Sequence, residues 1–128
     1  MPSFRPEHAA VVSLRAEDVP ALARFYHDVV GLPRLAHHHH PPAFDLGRGL
    51  TLAIVEGQPA HAREPRGSRF PVLAFSVKNL TEAVEHLKSH DVDLPWGVEA
   101  GATERWVKFY DPAGNLIEFA QFDWTNPS

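Results

Sequence analysis

Residues 110–119 read "YDPAGNLIEF": a turn of Asp, Pro, Gly and Asn, then an apolar strand interrupted by one carboxylate, Glu118. Pro presets φ, Gly supplies the left-handed region, and Asp and Asn cap their own backbone. A hairpin is therefore predicted, with strands near 104–110 and 115–122. An earlier stretch, "DLGRGL" at 45–50, matches "DPAGNL" at 111–116 with an offset of 66. Further upstream, an offset of 61 lays Val11 on Val72, Leu14 on Phe75, Asp18 on Asn79 and Val19 on Leu80. At 62, Val30 falls on Val92, Leu32 on Leu94 and Pro33 on Pro95. A drift of a few residues is what changes in loop length produce, so the chain reads as one supersecondary unit written twice.

The content of each copy follows from its punctuation. "AAVVSL" at 9–14 is a β-branched apolar run and predicts a strand. In "AEDVPALARFYHDVVGLP", Asp18 suits an N-cap, Pro20 the first turn and Gly31 with Pro33 the end of a helix. Val19, Leu22, Ala23, Tyr26 and Val30 form its apolar stripe. Short strands are expected near 34–38, 43–47 and 50–56, broken by Pro41-Pro42 and by Gly47–Gly49. The second copy has a strand in "PVLAFSV", a helix in "NLTEAVEHLKSHDVDLP" and strands near 96–100, 104–110 and 115–122. The reading is α+β, with two βαβββ modules in a single domain over 1–128. Module one spans about 8–56, a polar Pro/Gly-rich connector 57–70, and module two about 71–122. One helix leaves the other face of a four-stranded sheet uncovered, and a second copy can enclose it.

Bulk composition narrows the function classes. Apolar content of 44% and charge content of 22% are those of an ordinary globular protein. The net charge of −4, with nine neutral histidines, gives no electrostatic case for nucleic acid or an anionic membrane surface. The absence of cysteine excludes disulfides, thiolate metal sites and cysteine nucleophiles. "MPSFRPEH" lacks the apolar core of a signal peptide, and no apolar run approaches membrane-spanning length, so a cytoplasmic location is expected. No G-x-S-x-G, P-loop or dinucleotide fingerprint occurs, and "GRG" is only a turn.

"DVPALARFYHDVVGLP", "LAFSVKNLTEAVEHLKSHDVDLP" and "FYDPAGNLIEF" together resemble the vicinal oxygen chelate superfamily, the glyoxalase, bleomycin-resistance and extradiol-dioxygenase group. The resemblance covers about residues 8–122. It implies a glyoxalase/bleomycin-resistance/dihydroxybiphenyl dioxygenase-like fold, with the paired modules forming a cupped half-barrel, usually in a homodimer. It also implies a small molecule in the cup, often on a divalent metal held by His, Gln and Glu from the first, fourth, fifth and eighth strands. Those positions fall on Val11, on Leu52 or Glu56, on Val72 and on Glu118. Valine has no coordinating atom, and a stable divalent site wants at least three donors. His8 is the alternative donor. It lies three residues before Val11, so a regular strand turns it to the opposite face unless a bulge restores the parity. No metal cofactor is therefore expected; if one binds, His8, Glu56 and Glu118 are its ligands.

Strand parity then sorts the remaining side chains. Val12, Leu14, Leu73, Phe75 and Val77 should pack on helices, as should Val107, Phe109, Ile117 and Phe119. Val11, Ser13 and Arg15 face the ligand, with Val72, Ala74 and Ser76, and so do Trp106, Lys108, Tyr110 and Glu118. An apolar and aromatic lining with a few ionisable groups suits a small organic ligand. Glu118 is the candidate catalytic residue: desolvation would raise its pKa and let it work as an acid or base. Alternatively Arg15 or Lys108 pairs with it and merely orders the face.

The run His37–His40 offers at most two convergent imidazoles on a strand, a weak metal site, or else a loop tip or rim flap. His27, His86 and His90 fall on helices and His61 in the connector. Three functions remain. One is a metal-free binder of a small organic molecule. Another is a metal-dependent lyase, isomerase, thiol transferase or ring-cleaving dioxygenase using Glu118 and His8. The last is a dimer module without ligand function.

Overall fold

The structure, a computed structural model, describes residues 4–39, 41–59 and 71–127, with backbone alone at 37–39. His40, the side chains of the rest of the histidine run, and most of the connector including His61 lie outside the described residues. The chain divides into two compact units, Met1–Gln58 and Pro59–Ser128.

In the first unit, β1 (Val11–Ala16) leads into α1 (Val19–Arg24), followed by β2 (Arg34–His39), β3 (Pro42–Gly47) and β4 (Leu50–Glu56). The second repeats the pattern with β5 (Leu73–Ser76), α2 (Leu80–Ser89), β6 (Val98–Ala100), β7 (Arg105–Tyr110) and β8 (Leu116–Gln121). The sheet orders correspond, β1-β4-β3-β2 and β5-β8-β7-β6, with β1 parallel to β4 and β5 parallel to β8. The α+β reading as two βαβββ modules holds. No helix among the described residues is long and apolar enough to cross a membrane.

The repeat extends to individual hydrogen bonds. Asp18 Oδ1 accepts from Ala21 N at 3.0 Å, and Asn79 Oδ1 accepts from Glu82 N at 3.2 Å, so both helices start on the side-chain caps that the offset aligned. Asp45 Oδ1 accepts from Gly47 N at 2.7 Å, and Asp111 Oδ1 from Ala113 N at 3.0 Å, giving each hairpin the same aspartate-led turn.

Two local features differ from expectation. β1 runs from Val11 to Ala16 rather than 9–14, because its parallel partner β4 offers pairing from Thr51 to Glu56. After Arg24 the first helix widens into a π-helical turn over Phe25–Val29, with Val30 N donating to Phe25 O at 3.1 Å. Gly31, at φ +86°, then ends it in the left-handed region.

The cores sit between each helix and its sheet. Leu22, Tyr26, Phe44, Leu52 and Ile54 are buried in the first unit. Leu80, Leu87, Val107, Phe109, Ile117 and Phe119 are buried in the second. The opposite face of each sheet is left for other work.

Candidate functional site

Cross-strand register builds the site on the second sheet. Ala74 pairs with Glu118, and Glu118 with Lys108, so three strands contribute to one rung. On the next rung Ser76 pairs with Ala120, Ala120 with Trp106 and Trp106 with Glu99. Tyr110 pairs with Leu116 on the other side. Strand alternation puts all of these on the face opposite Phe109, Ile117 and Phe119. The expected group Ala74, Trp106, Lys108, Tyr110 and Glu118 therefore shares one face.

Two residues that sequence reasoning missed complete it. Glu99 Oε1 accepts from Trp106 Nε1 at 3.2 Å and stands 3.9 Å from Lys108 Nζ. Trp96 tilts against Tyr110 with ring centroids 5.9 Å apart, and Lys108 Nζ lies 5.9 Å from the Trp96 centroid. The signal for Glu99 was its place opposite Trp106 on a three-residue strand, too short to show a hydrophobic period. The described ion pair of Lys108 is thus with Glu99, whereas the alternative reading pairs Glu118 with Arg15 or Lys108.

The electrostatics of Glu118 follow. Burial raises its carboxyl above the ordinary value; the Lys108 ammonium opposes that rise and the Glu99 carboxylate adds to it. A folded-state pKa above the unfolded one stabilises the fold at low pH, and that contribution is lost as pH rises through the folded value. Glu118→Gln removes the titrating group. At neutral pH this variant is expected to melt above the wild type, with the gap closing as pH falls below the ordinary carboxylate range. Scanning calorimetry across that range checks it, and a variant melting lower at neutral pH would show Lys108 outweighing burial.

On the first sheet, Val11, Ser13 and Arg15 are exposed and alternate with the more buried Val12, Leu14 and Ala16. Thr51, Ala53 and Val55 pair with them on β4. The stem of Arg15 runs over Gly57, where an added Cβ would stand 3.1 Å from Arg15 Cδ. Gly57 leaves that space free and adopts φ +145° without strain.

The Glyoxalase/Bleomycin resistance protein/Dioxygenase superfamily pattern matches this chain over residues 5–119. The chain belongs to that superfamily. Solved structures of the same fold include a glyoxalase/dioxygenase from Nostoc punctiforme, at 22% identity and TM-score 0.77, covering 95% of this chain and 98% of that one. Lactoylglutathione lyase from Agrobacterium tumefaciens superposes at TM-score 0.69 with 19% identity, over 91% of this chain and 95% of its own. TnmS3, an antibiotic binding protein from Streptomyces sp. CB03234, gives 0.70 with 23% identity, over 92% and 98%. No curated protein matches. At these identities the shared feature is the fold.

The superfamily's metal positions can now be placed. Glu118 stands on the eighth strand facing the site, and Val72 lies at the entry to β5. Val11 is 59% exposed on the first sheet. The fourth-strand assignment needs correction. Leu52 pairs with Val12 and Phe44 and is fully buried beneath α1, while Glu56 pairs with Ala16 on the same parity. Both belong to the helix-facing side, opposite Val11, because the parallel pairing with β1 sets the phase of β4. His8 precedes the strand. Its Nδ1 is 3.0 Å from Ala9 O, and its ring lies at the β3–β4 turn, 3.6 Å from where a Cβ on Gly49 would stand. Among the described residues no three His, Asp or Glu side chains are grouped as a metal ion requires.

Proposed function

We propose that this member of the superfamily binds a small organic molecule on the β5–β8–β7–β6 face, without a divalent metal. The supporting observation is the rung Ala74–Glu118–Lys108 flanked by Trp96, Trp106 and Tyr110. Flat apolar rings supply contact area, while the Glu99–Lys108–Glu118 charges orient polar groups on the ligand. The donor set speaks against the superfamily's metal: Val11 and Val72 have no lone pair to give, and Glu56 sits on the helix-facing parity. Glu118, with its raised pKa, is the group assigned to hold or exchange a proton with the ligand. TnmS3, which shares this fold, is an antibiotic binding protein, in keeping with a small organic ligand here. Cytoplasmic location and a homodimer belong to the same proposal. The exposed Val11 and Val55 are apolar positions that a second copy would cover.

The test is a thermal-shift screen with small aromatic acids and amines, followed by calorimetry on hits. A ligand at 100-fold its Kd is expected to add about 2.7 kcal/mol to stability. Trp106→Ala should weaken the hit about tenfold through lost stacking and desolvation. Metal content is to be measured on protein purified without a nickel column, given the histidine run. A tightly held divalent ion that disappears in Glu118→Ala would overturn the proposal and favour the metal-dependent lyase or dioxygenase reading. An unresponsive screen would favour a dimer module.

A further inference from the structure

A cavity whose described lining belongs to the first unit opens beside α1. Helix α1 packs chiefly on β4 and β1, the strands at one side of the order β1-β4-β3-β2. β3 begins at Pro42, which with Pro41 stands at the hairpin end of this sheet. Between that end and α1 a cavity of about 660 Å³ opens, within the range of about 300–1,000 Å³ over which folded proteins hold small ligands. Ile54, which pairs with Leu14, and Arg34, which pairs with Phe44, reach it from the helix side, and Val55, opposite Arg15, borders it at the end of β4. The site proposed above lies in the other unit.

The lining has a definite chemistry. Val19, Ala23 and Ile54 make an apolar floor, the last two almost completely buried. Pro41 and Pro42 form the hairpin wall, and proline brings no backbone donor. Arg24 of α1 and Arg34 of β2 both line the cavity, so two cationic side chains border it from different elements. Arg34 is steadied over the Phe44 ring, 5.9 Å from its centroid, and neither arginine has an ion-pair partner among the described residues. Glu56 is the sole acid among the described lining residues.

From this arrangement we infer that the α1–hairpin cavity binds a small monocarboxylate with an apolar body, its head between Arg24 and Arg34. Guanidinium suits the class because its planar fork matches a carboxylate and remains charged at every physiological pH. Apolar contact with Val19, Ala23 and Ile54 supplies the non-directional part of the binding. Glu56 sets the charge: a second carboxylate on the far end of the ligand would meet a like charge, so monoanions are favoured over dianions.

The probe is 2-naphthoate, titrated into the full chain with amide chemical shifts followed by NMR. The expected result is saturable binding, with shifts concentrated at Val19–Arg24 and Ile54–Glu56. The variant Arg24→Gln/Arg34→Gln should weaken 2-naphthoate about tenfold while 2-naphthol, its neutral analogue, changes by less than about twofold. Naphthalene-2,6-dicarboxylate should bind more weakly than 2-naphthoate, and Glu56→Gln should narrow that gap. Both arginines are exposed, so their replacement leaves the fold intact, and the melting temperature verifies it. Absence of saturable binding overturns the inference. So do equal losses for the acid and the alcohol, or shifts centred on Arg105–Tyr110 of the second sheet. That last outcome would count for the ligand face proposed above, so the two proposals fail separately.

Discussion

Phe109→Ala is expected to lower the free energy of unfolding by about 3–5 kcal/mol, the range for emptying a packed aromatic site. Phe109 is fully buried, meets the Phe119 ring edge-on with centroids 5.1 Å apart, and lies opposite Ile117 in the β7–β8 ladder. Helix α2 packs on these two strands, so a void here loosens the layer covering that face. A domain of this size has about 5–15 kcal/mol in total, and this one change removes a large fraction of it. The effect reaches the ligand face as well, since Lys108 and Tyr110 are the immediate neighbours of Phe109 on β7. Urea denaturation at fixed pH measures the loss. Val11→Ala serves as the contrast: Val11 is 59% exposed and its truncation should stay within about 0.5 kcal/mol. Comparable losses for the two would show that the core does not lie on the α2 side.

Asp111→Ala is expected to cost about 2–4 kcal/mol, because an ionised acceptor is removed while its donors stay. Asp111 is 3% exposed. Its Oδ1 accepts from Ala113 N at 3.0 Å and Asn115 N at 2.9 Å, and its Oδ2 accepts from Asn115 Nδ2 at 2.9 Å. Gly114, at φ +91°, completes the turn by donating to Asp111 O at 2.9 Å. The turn sets the phase of β7 against β8, and a slip of one residue would turn Glu118 to the helix side. Asp111→Asn should recover part of the loss, since an amide keeps one accepting oxygen but cannot accept at its nitrogen. Thermal unfolding gives the energies, and cross-strand NOEs between Lys108 and Glu118 report the register. An alanine variant with unchanged stability would mean the turn holds itself through its backbone alone.

The parts legible in the sequence are those written in short-range pattern. Asp18 and Asn79 announce two helix starts, Asp45 and Asp111 two hairpin turns, and the alternation in "RWVKFY" separates Trp106, Lys108 and Tyr110 from Val107 and Phe109. Each signal spans a few residues, because caps, turns and strand alternation act over that distance. The Glu118 rung could be read the same way, since β7 and β8 are joined by a tight turn.

Other features needed contacts between distant residues. The turn alignment points to Leu52 and a plain offset of 62 to Glu56, but the parallel pairing of β4 with β1 decides their side, and that pairing joins residues about 40 positions apart in sequence. Glu99 and Trp96 come to Lys108 from a three-residue strand and the loop before it, where no period exists to read. The α1–hairpin cavity depends on where the helix lies against the strands, a property of layer packing rather than of any one segment. The sequence by itself determined two βαβββ units, their caps and turns, and the face on which Glu118 stands, because local sterics and strand alternation are encoded within a few residues. Only the tertiary structure decided the partner of Lys108, the side of Glu56 and the cavity beside α1, because side chains distant in sequence meet only after the strands have paired.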